Sequence, residues 1–330
     1  NLKKSPISPI MLSIMIGLII GNIFKIPLLF SEGIKFSLKF ILRLGIICLG
    51  IRLGLLDILK VGIIGIPLIL ACIVISILLV NYFCKLLNVP SKMGSLIAVG
   101  TSICGASAIV ATSPAINANK EEVTYAIANI TIFGIIAMFL YPFLAHYLFN
   151  GDELSIGLFL GISIHETAQV AGAGLIYAEQ YSSPTTMDIA TITKLVRNIS
   201  MIVVIPFISY LYLKKNIDKK NTKPSFLSMF PIFIIGFIIM GLIRSIGDYG
   251  IQDSNQAFGI FLNDQWQLII DYIKSLAEYS LAIAMAAVGV STNLVSLRSL
   301  GIKPFYVGFS AAVCVGFISY IGIIFLKYFI

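Results

Sequence analysis

Charge-free runs of about 20 residues, the length a helix needs to cross a bilayer, recur from one end of this chain to the other. That feature removes most folds from consideration. Only helices, which satisfy their own backbone groups, and closed barrels can cross lipid. A barrel strand alternates lipid-facing and lumen-facing residues, whereas these runs are unbroken, so the spans are helical. Of the 330 residues 58% are hydrophobic and 12% charged, against roughly 25% charged in a soluble domain, and no polar head separates the runs. A soluble enzyme is excluded. The chain reads as a single all-α polytopic membrane domain over residues 1–330, with about ten membrane segments.

A net charge of +8 would point to nucleic acid in a soluble protein, but most of the basic residues stand at segment ends. The bilayer is therefore the expected partner, and nucleic acid is not. Cys48, Cys72, Cys84, Cys104 and Cys314 all fall in apolar runs and are odd in number, so no disulfide is expected. The chain begins at Asn1 rather than methionine, and a further N-terminal helix or signal is expected before it.

Five charge-free spans cover residues 5–24, 61–84, 123–149, 225–243 and 304–326, and three with embedded charges cover 34–55, 189–213 and 266–297. Two other stretches, 94–117 with GTSICGASAIVATSP and 155–178 with GISIHETAQVAGAG, are rich in Gly, Ala, Ser and Thr. Small residues permit unwound backbone and close helix approach, and interrupted helices mark transporter binding sites near the membrane midplane. The alternative is a tightly packed small-residue interface.

GTSICGASAIV at 100–110 aligns without gaps on GISIHETAQVA at 161–171, and each precedes a helix containing Pro-Phe, at 142–143 and 206–207. GIRLGLLDILKVGI at 50–63 aligns likewise on GVSTNLVSLRSLGI at 289–302. Together these matches indicate inverted repeats in halves of about 1–149 and 150–330, the second permuted. Lys214, Lys215, Lys219, Lys220 and Lys223 cluster in one loop, which the positive-inside rule makes cytoplasmic. Lys85, Lys92, Arg298 and Lys303 then fall inside, and residues 182–188 fall outside. If both small-residue stretches crossed fully they would run parallel, while the 50–63 and 289–302 pair would be antiparallel. Re-entrant or deeply broken hairpins, one from either side, make both pairs antiparallel and are the expectation.

Charges within membrane segments are costly and default to functional readings. The deep candidates are Arg43, Arg52, Lys194 and Arg197 against one carboxylate, Glu166. Lys35 and Lys39 can snorkel from a helix end, and Arg43 and Arg52 can equally serve a structural pair. Lys194 and Arg197, three apart, share a helix face. One of them is expected to neutralise Glu166, leaving a positive charge suited to a multi-oxygen anion. His165 and Glu166 form an adjacent titratable pair fit for proton coupling, with Gln169 on the same face; the alternative is that His165 and Gln169 satisfy unwound backbone. Thr101, Ser102, Cys104 and Ser107, beside Gly100 and Gly105, offer hydroxyls, a thiol and backbone amides for an oxyanion. Cys104 with His165 as base is a competing enzymatic reading, weakened because no soluble site admits a substrate. His146 is expected at the membrane interface. Two histidines so distant in sequence give no expected metal site, and no cofactor is expected.

The SICGASAI stretch at 102–109, HETAQV at 165–170, RLGIICLGIRL at 43–53 and AMAAVGVSTNL at 284–294 together resemble the YeiH-type family of bacterial inner-membrane proteins, which carry a provisional name as sulfate exporters. The resemblance covers the whole chain apart from a further N-terminal helix. It implies kinship with sodium/bile-acid symporters and cation/proton antiporters, and so inverted repeats with crossed, interrupted helices, the crossing near residues 100–107 and 166–169. Hairpins would depart from that pattern. The expected function is secondary transport of a small anion of the sulfate, sulfite or organic sulfonate class, by alternating access and with proton or sodium coupling. The expected substrate-binding residues are Thr101, Ser102, Cys104, Gly105, Ser107, His165, Gln169, Lys194 and Arg197, with Glu166 and His165 in coupling. An anion channel and a membrane-embedded enzyme are the alternatives, and a homodimer stays open.

Overall fold

The computed structural model describes residues 9–24, 26–215, 232–292 and 302–328. Among them six helices are long and apolar enough to cross a membrane, Leu55–Leu86, Lys120–Leu148, Pro184–Ile208, Phe233–Ser254, Asn263–Ser291 and Lys303–Lys327, with shorter apolar helices at Leu12–Ile23 and Glu153–Ser163. The chain divides into two compact units, Asn1–Ile63 with Ile232–Thr292, and Ile64–Pro231 with Asn293–Ile330. Each unit thus draws on both halves of the sequence.

In the first unit α1 (Pro9–Ile23) lies along α13 (Asn263–Ser291). The two backbones approach closely because both faces are bare: a Cβ on Gly17 would lie 2.5 Å from the Ala286 carbonyl oxygen, and one on Gly289 would strike the Ile14 carbonyl. The expected helix over 34–55 is present as one helical stretch from Ser31 to Arg52, made of α2 (Ser31–Phe36), a π-helical turn over Ser37–Ile41, α3 (Leu42–Leu49) and a 3-10 turn over Gly50–Arg52. It ends where Leu53 turns extended, and the next helix starts with the Leu55 amide donating to the Ser245 hydroxyl at 2.8 Å. Helix α12 (Phe233–Ser254) runs past the expected end at 243. Its charges satisfy each other one turn apart, Arg244 Nε meeting Asp248 Oδ2 at 2.5 Å, while Trp266 Nε1 donates to Asp248 Oδ1 at 2.9 Å. The expected start of that span, 225–231, and the loop lysines beyond Lys215 lie outside the described residues, as do residues 293–297 of the expected 266–297 span and Arg298. Arg52 stands 3.5 Å from Glu278, and the Arg43 guanidinium lies 6.0 Å from the Phe233 ring centre. Arg52 thus meets a carboxylate, as in the structural alternative, whereas Arg43 is exposed and not deep.

The second unit holds the small-residue stretches. After α4 (Leu55–Leu86), α5 (Ser91–Ser102) stops at Ile103 and α6 (Ala106–Thr112) starts after Gly105. Lys92, at the start of α5, donates to the Asn117 carbonyl beyond α6 at 2.6 Å, so the stretch enters and returns as a hairpin. Next, α7 (Lys120–Leu148) is opened by a capping box in which Asn119 Oδ1 accepts the Glu122 amide at 2.7 Å and Glu122 accepts the Asn119 amide at 2.9 Å. Its 29 residues span about 43 Å. At its far end α8 (Glu153–Ser163) and α9 (Thr167–Tyr181) form the second hairpin, closed at its foot by the Ser183 hydroxyl donating to Glu153 at 2.6 Å. The two hairpins therefore enter from opposite ends of α7. Antiparallel arms replace the crossed helices that the family resemblance implies.

Helix α10 (Pro184–Ile199) packs against both arms of the second hairpin and leads through Ser200 into α11 (Met201–Lys215). Gly161 faces Thr193 and Gly174 faces Met187, so α10 runs with α8 and against α9. Helix α14 (Ile302–Lys327) runs parallel to α7: Phe133 stacks near Phe305 at 5.0 Å, and Phe149 near Tyr320 at 5.6 Å.

Candidate functional site

The two hairpins break at matching places. In the gapless alignment of 100–110 on 161–171, Ile103 corresponds to Ile164 and Gly105 to Glu166, and these residues end one arm and open the next in each hairpin. Each incoming arm, α5 and α8, ends with carbonyls that no helix turn satisfies, at the negative end of a helix dipole.

Lys194 and Arg197 supply the missing donors. Lys194 Nζ donates to the carbonyls of Ile103 at 3.0 Å, Ile164 at 2.9 Å and His165. Arg197 Nε donates to the Ser102 carbonyl at 2.8 Å, and its two terminal nitrogens donate to Thr101 and Ile162. Both side chains are fully buried. Each cation thus bridges one tip to the other, and sharing a face of α10 lets both do so.

Neither cation makes a direct ion pair with Glu166, although Lys194 lies close enough to act on its charge. Glu166 Oε1 instead accepts from the Ala106 amide at 3.3 Å and from the Thr131 hydroxyl at 3.4 Å. Gly105 makes this possible, since its φ of +69° is open to glycine and a Cβ there would run into Glu166 Cγ. Gln169 is wholly buried and ties α9 to α7, its Oε1 accepting the Glu166 amide at 3.3 Å and its Nε2 donating to the Thr131 carbonyl at 3.0 Å. It follows the backbone-satisfying alternative.

The remaining expected residues divide between interior and surface. Thr101 and Ser102 are buried, and the Ser102 hydroxyl bonds back to the Ala98 carbonyl at 2.6 Å. Cys104 is buried with its thiol directed to Met201 Sδ at 3.1 Å, whereas a nucleophile needs a base as its acceptor. His165 is 1% exposed, and its Nδ1 has no partner among the described residues; the same holds for Thr193 Oγ1 and Asn198 Oδ1. Ser107 is exposed, and Ala106, Thr131, Glu166 and Thr167 are partly exposed. Four of these five belong to the tips and Thr131 to the neighbouring α7, and none is fully buried. Thr131 carries no sequence signal, since a lone hydroxyl within a helix follows no pattern, whereas Thr167 falls within the HETAQV stretch. His146 lies at the end of α7, stacked 3.8 Å from Tyr181 and 2.9 Å from the Tyr177 hydroxyl.

A charge-clamped junction between two opposed hairpins, within a set of long apolar helices, defines a multi-pass membrane protein with a polar centre. The chain belongs to the family described as Conserved hypothetical protein 698, whose model matches residues 2–308, in agreement with the YeiH-type resemblance. It is 32% identical over 309 residues to a UPF0324 membrane protein of Fusobacterium nucleatum, covering 93% of this chain and 87% of that one. It is 32% identical over 296 residues to another from Streptococcus agalactiae (90% and 83%), and 33% identical over 306 residues to one from Pasteurella multocida (92% and 84%). No solved structure matches. The protein is a multi-pass bacterial membrane protein.

Proposed function

We propose that the protein is a secondary transporter of a small anion, of the sulfate, sulfite or organic sulfonate class, working by alternating access around the facing tips. The observation that carries this reading is the burial of two cationic side chains, Lys194 and Arg197, beside a single carboxylate, Glu166. Their hydrogen bonds go to backbone carbonyls, so they act on a ligand as a fixed positive field rather than as direct ligands, and the field favours an anion at the tips. The hairpins are read as re-entrant, and their entry from opposite ends of α7, together with the matched breaks, supports an inverted repeat. With α1, the α2–α3 series, α4, α7, the α10–α11 pair, α12, α13 and α14 as spans, they bring the count to about ten segments.

The test is thermal stabilisation of the purified protein by sulfate, sulfite, methanesulfonate and organic cations. Anions are expected to raise the melting temperature more than any cation does; a cation that stabilises more than every anion contradicts the reading. Flux of radiolabelled sulfate and sulfite into proteoliposomes then separates the mechanisms, because a carrier shows counterflow, a channel shows flux without it, and an enzyme shows no flux.

A further inference from the structure

Two kinds of bridge join the hairpin tips. The Lys194 and Arg197 bridges are fully buried and made to carbonyls. The bridge through Glu166 differs on every count. It is partly exposed, it reaches the Ala106 amide of the first hairpin at 3.3 Å and the Thr131 hydroxyl of α7 at 3.4 Å, and both contacts converge on one oxygen. Both lengths lie beyond the usual range for such bonds, so these contacts are long. Among the described polar bridges between the tips it is the one whose side chain is not fully buried. Gly105 leaves the space into which the carboxylate fits.

We propose that Glu166, braced by Thr131, is a carboxylate latch across the hairpin seam and the site where a proton is bound and released as the seam opens and closes. The step is balanced by a single proton, which enters from water onto the carboxylate and leaves the same way. Ionised, Glu166 makes charge-assisted bonds to Ala106 and Thr131; protonated, it makes neutral ones about half as strong. The charged and titratable groups around it are Lys194 and, behind it, Arg197 from α10, Cys104 from the first hairpin and His165 from its own turn; α7 contributes the neutral Thr131. By linkage, a movement that breaks the Ala106 bond must change proton affinity, and proton binding must change the ease of that movement by the same factor. The latch is read without any substrate; only its use in transport rests on the proposed function.

The experiment is amide hydrogen exchange at Ala106 in the purified, substrate-free protein, read from overlapping peptides and corrected for intrinsic rate. In the parent, corrected exchange is expected to rise about tenfold as the pH is lowered through the range in which Glu166 titrates, its bonds passing from charge-assisted to neutral. Glu166→Gln is expected to show the faster rate at every pH. Thr131→Val, which keeps the shape and removes the hydroxyl, is expected to move the pH of the transition, and Thr131→Ser to restore it. The parent titration needs no variant, so a misfolded Glu166→Gln leaves the test intact. A parent profile flat with pH, a Glu166→Gln protein as protected as the parent, or an unmoved transition in Thr131→Val each overturns the latch. A protein that shows the latch but moves no anion overturns the transport reading alone.

Discussion

Lys194 and Arg197 are buried without an acidic partner in contact, and their stability comes from the carbonyls at the ends of α5 and α8. Removing either cation leaves three helix-end carbonyls buried and short of a donor, at about 1–3 kcal/mol for each one. Lys194→Met and Arg197→Gln are therefore expected to melt several degrees lower than the parent or to fail to fold, by thermal unfolding in detergent; unchanged melting would remove the clamp from the account. Arg197→Lys retains the charge but lacks the fork that reaches three separate carbonyls, so it is expected to fall between the two. The sequence makes the depth and shared face of these two residues legible, because charge in an apolar run and a three-residue spacing are visible in one dimension. Their acceptors are not, because a backbone carbonyl freed by a broken helix has no letter of its own. Pairing by formal charge consequently assigns a cation to Glu166, whose partners are an amide and a hydroxyl.

At the scale of elements, small-residue composition and a gapless internal match place the two interrupted stretches, and the breaks fall at matching positions within them. Gly105 is the element's most constrained position. Its φ of +69° with ψ of −129° is essentially restricted to glycine, and Gly105→Ala is expected to cost about 1–3 kcal/mol through strain, in addition to displacing Glu166. Gly33, in the exposed α2, has nothing within 4 Å of an added Cβ, so Gly33→Ala is the control and is expected to be neutral or slightly stabilising. Equal melting of the two variants contradicts the strain argument. The foot of the second hairpin carries a different dependence. Burial alone pushes the Asp152 carboxyl up, but the Lys327 ammonium at 2.8 Å and the Ser155 hydroxyl at 2.5 Å outweigh it and hold the group below the usual carboxylate range. A carboxyl held down stabilises above its unfolded-state value and loses that contribution as pH falls through its folded-state value. Acid is thus expected to loosen this foot, and Lys327→Ala to remove part of the acid sensitivity; identical acid-unfolding curves for parent and variant would contradict it. The π-helical and 3-10 turns within the 34–55 helix are not legible, because apolar periodicity continues through a 3-10 turn as readily as through an α-turn.

Across the molecule as a whole, the orientation rests on where lysines gather. Within the second unit the start of α7 brings together Lys120, Lys92 of the neighbouring foot, Lys85 at the end of α4, and Lys303 at the start of the parallel α14. The opposite end carries Asp152, Glu153 and a single paired lysine, Lys327. Because α10 and α11 start at the foot of the second hairpin and lead away from it, Lys214 and Lys215 leave α11 toward the lysine-rich end. The cluster in space and the lysine loop in sequence therefore point the same way, and the positive-inside rule makes that end cytoplasmic. In the proposed reading the first hairpin is entered from the cytoplasm and the second from outside, which gives the junction two-sided access. In a background without the native cysteines, Thr185→Cys, exposed at the second foot, is expected to react with an impermeant maleimide added to intact cells, and Ser91→Cys, exposed at the first foot, only after the membrane is opened. Labelling of Ser91→Cys with Thr185→Cys untouched reverses the orientation. Labelling of both from outside would mean that the two feet share a face, which would contradict hairpins entering from opposite ends of α7 and, with them, the inverted repeat.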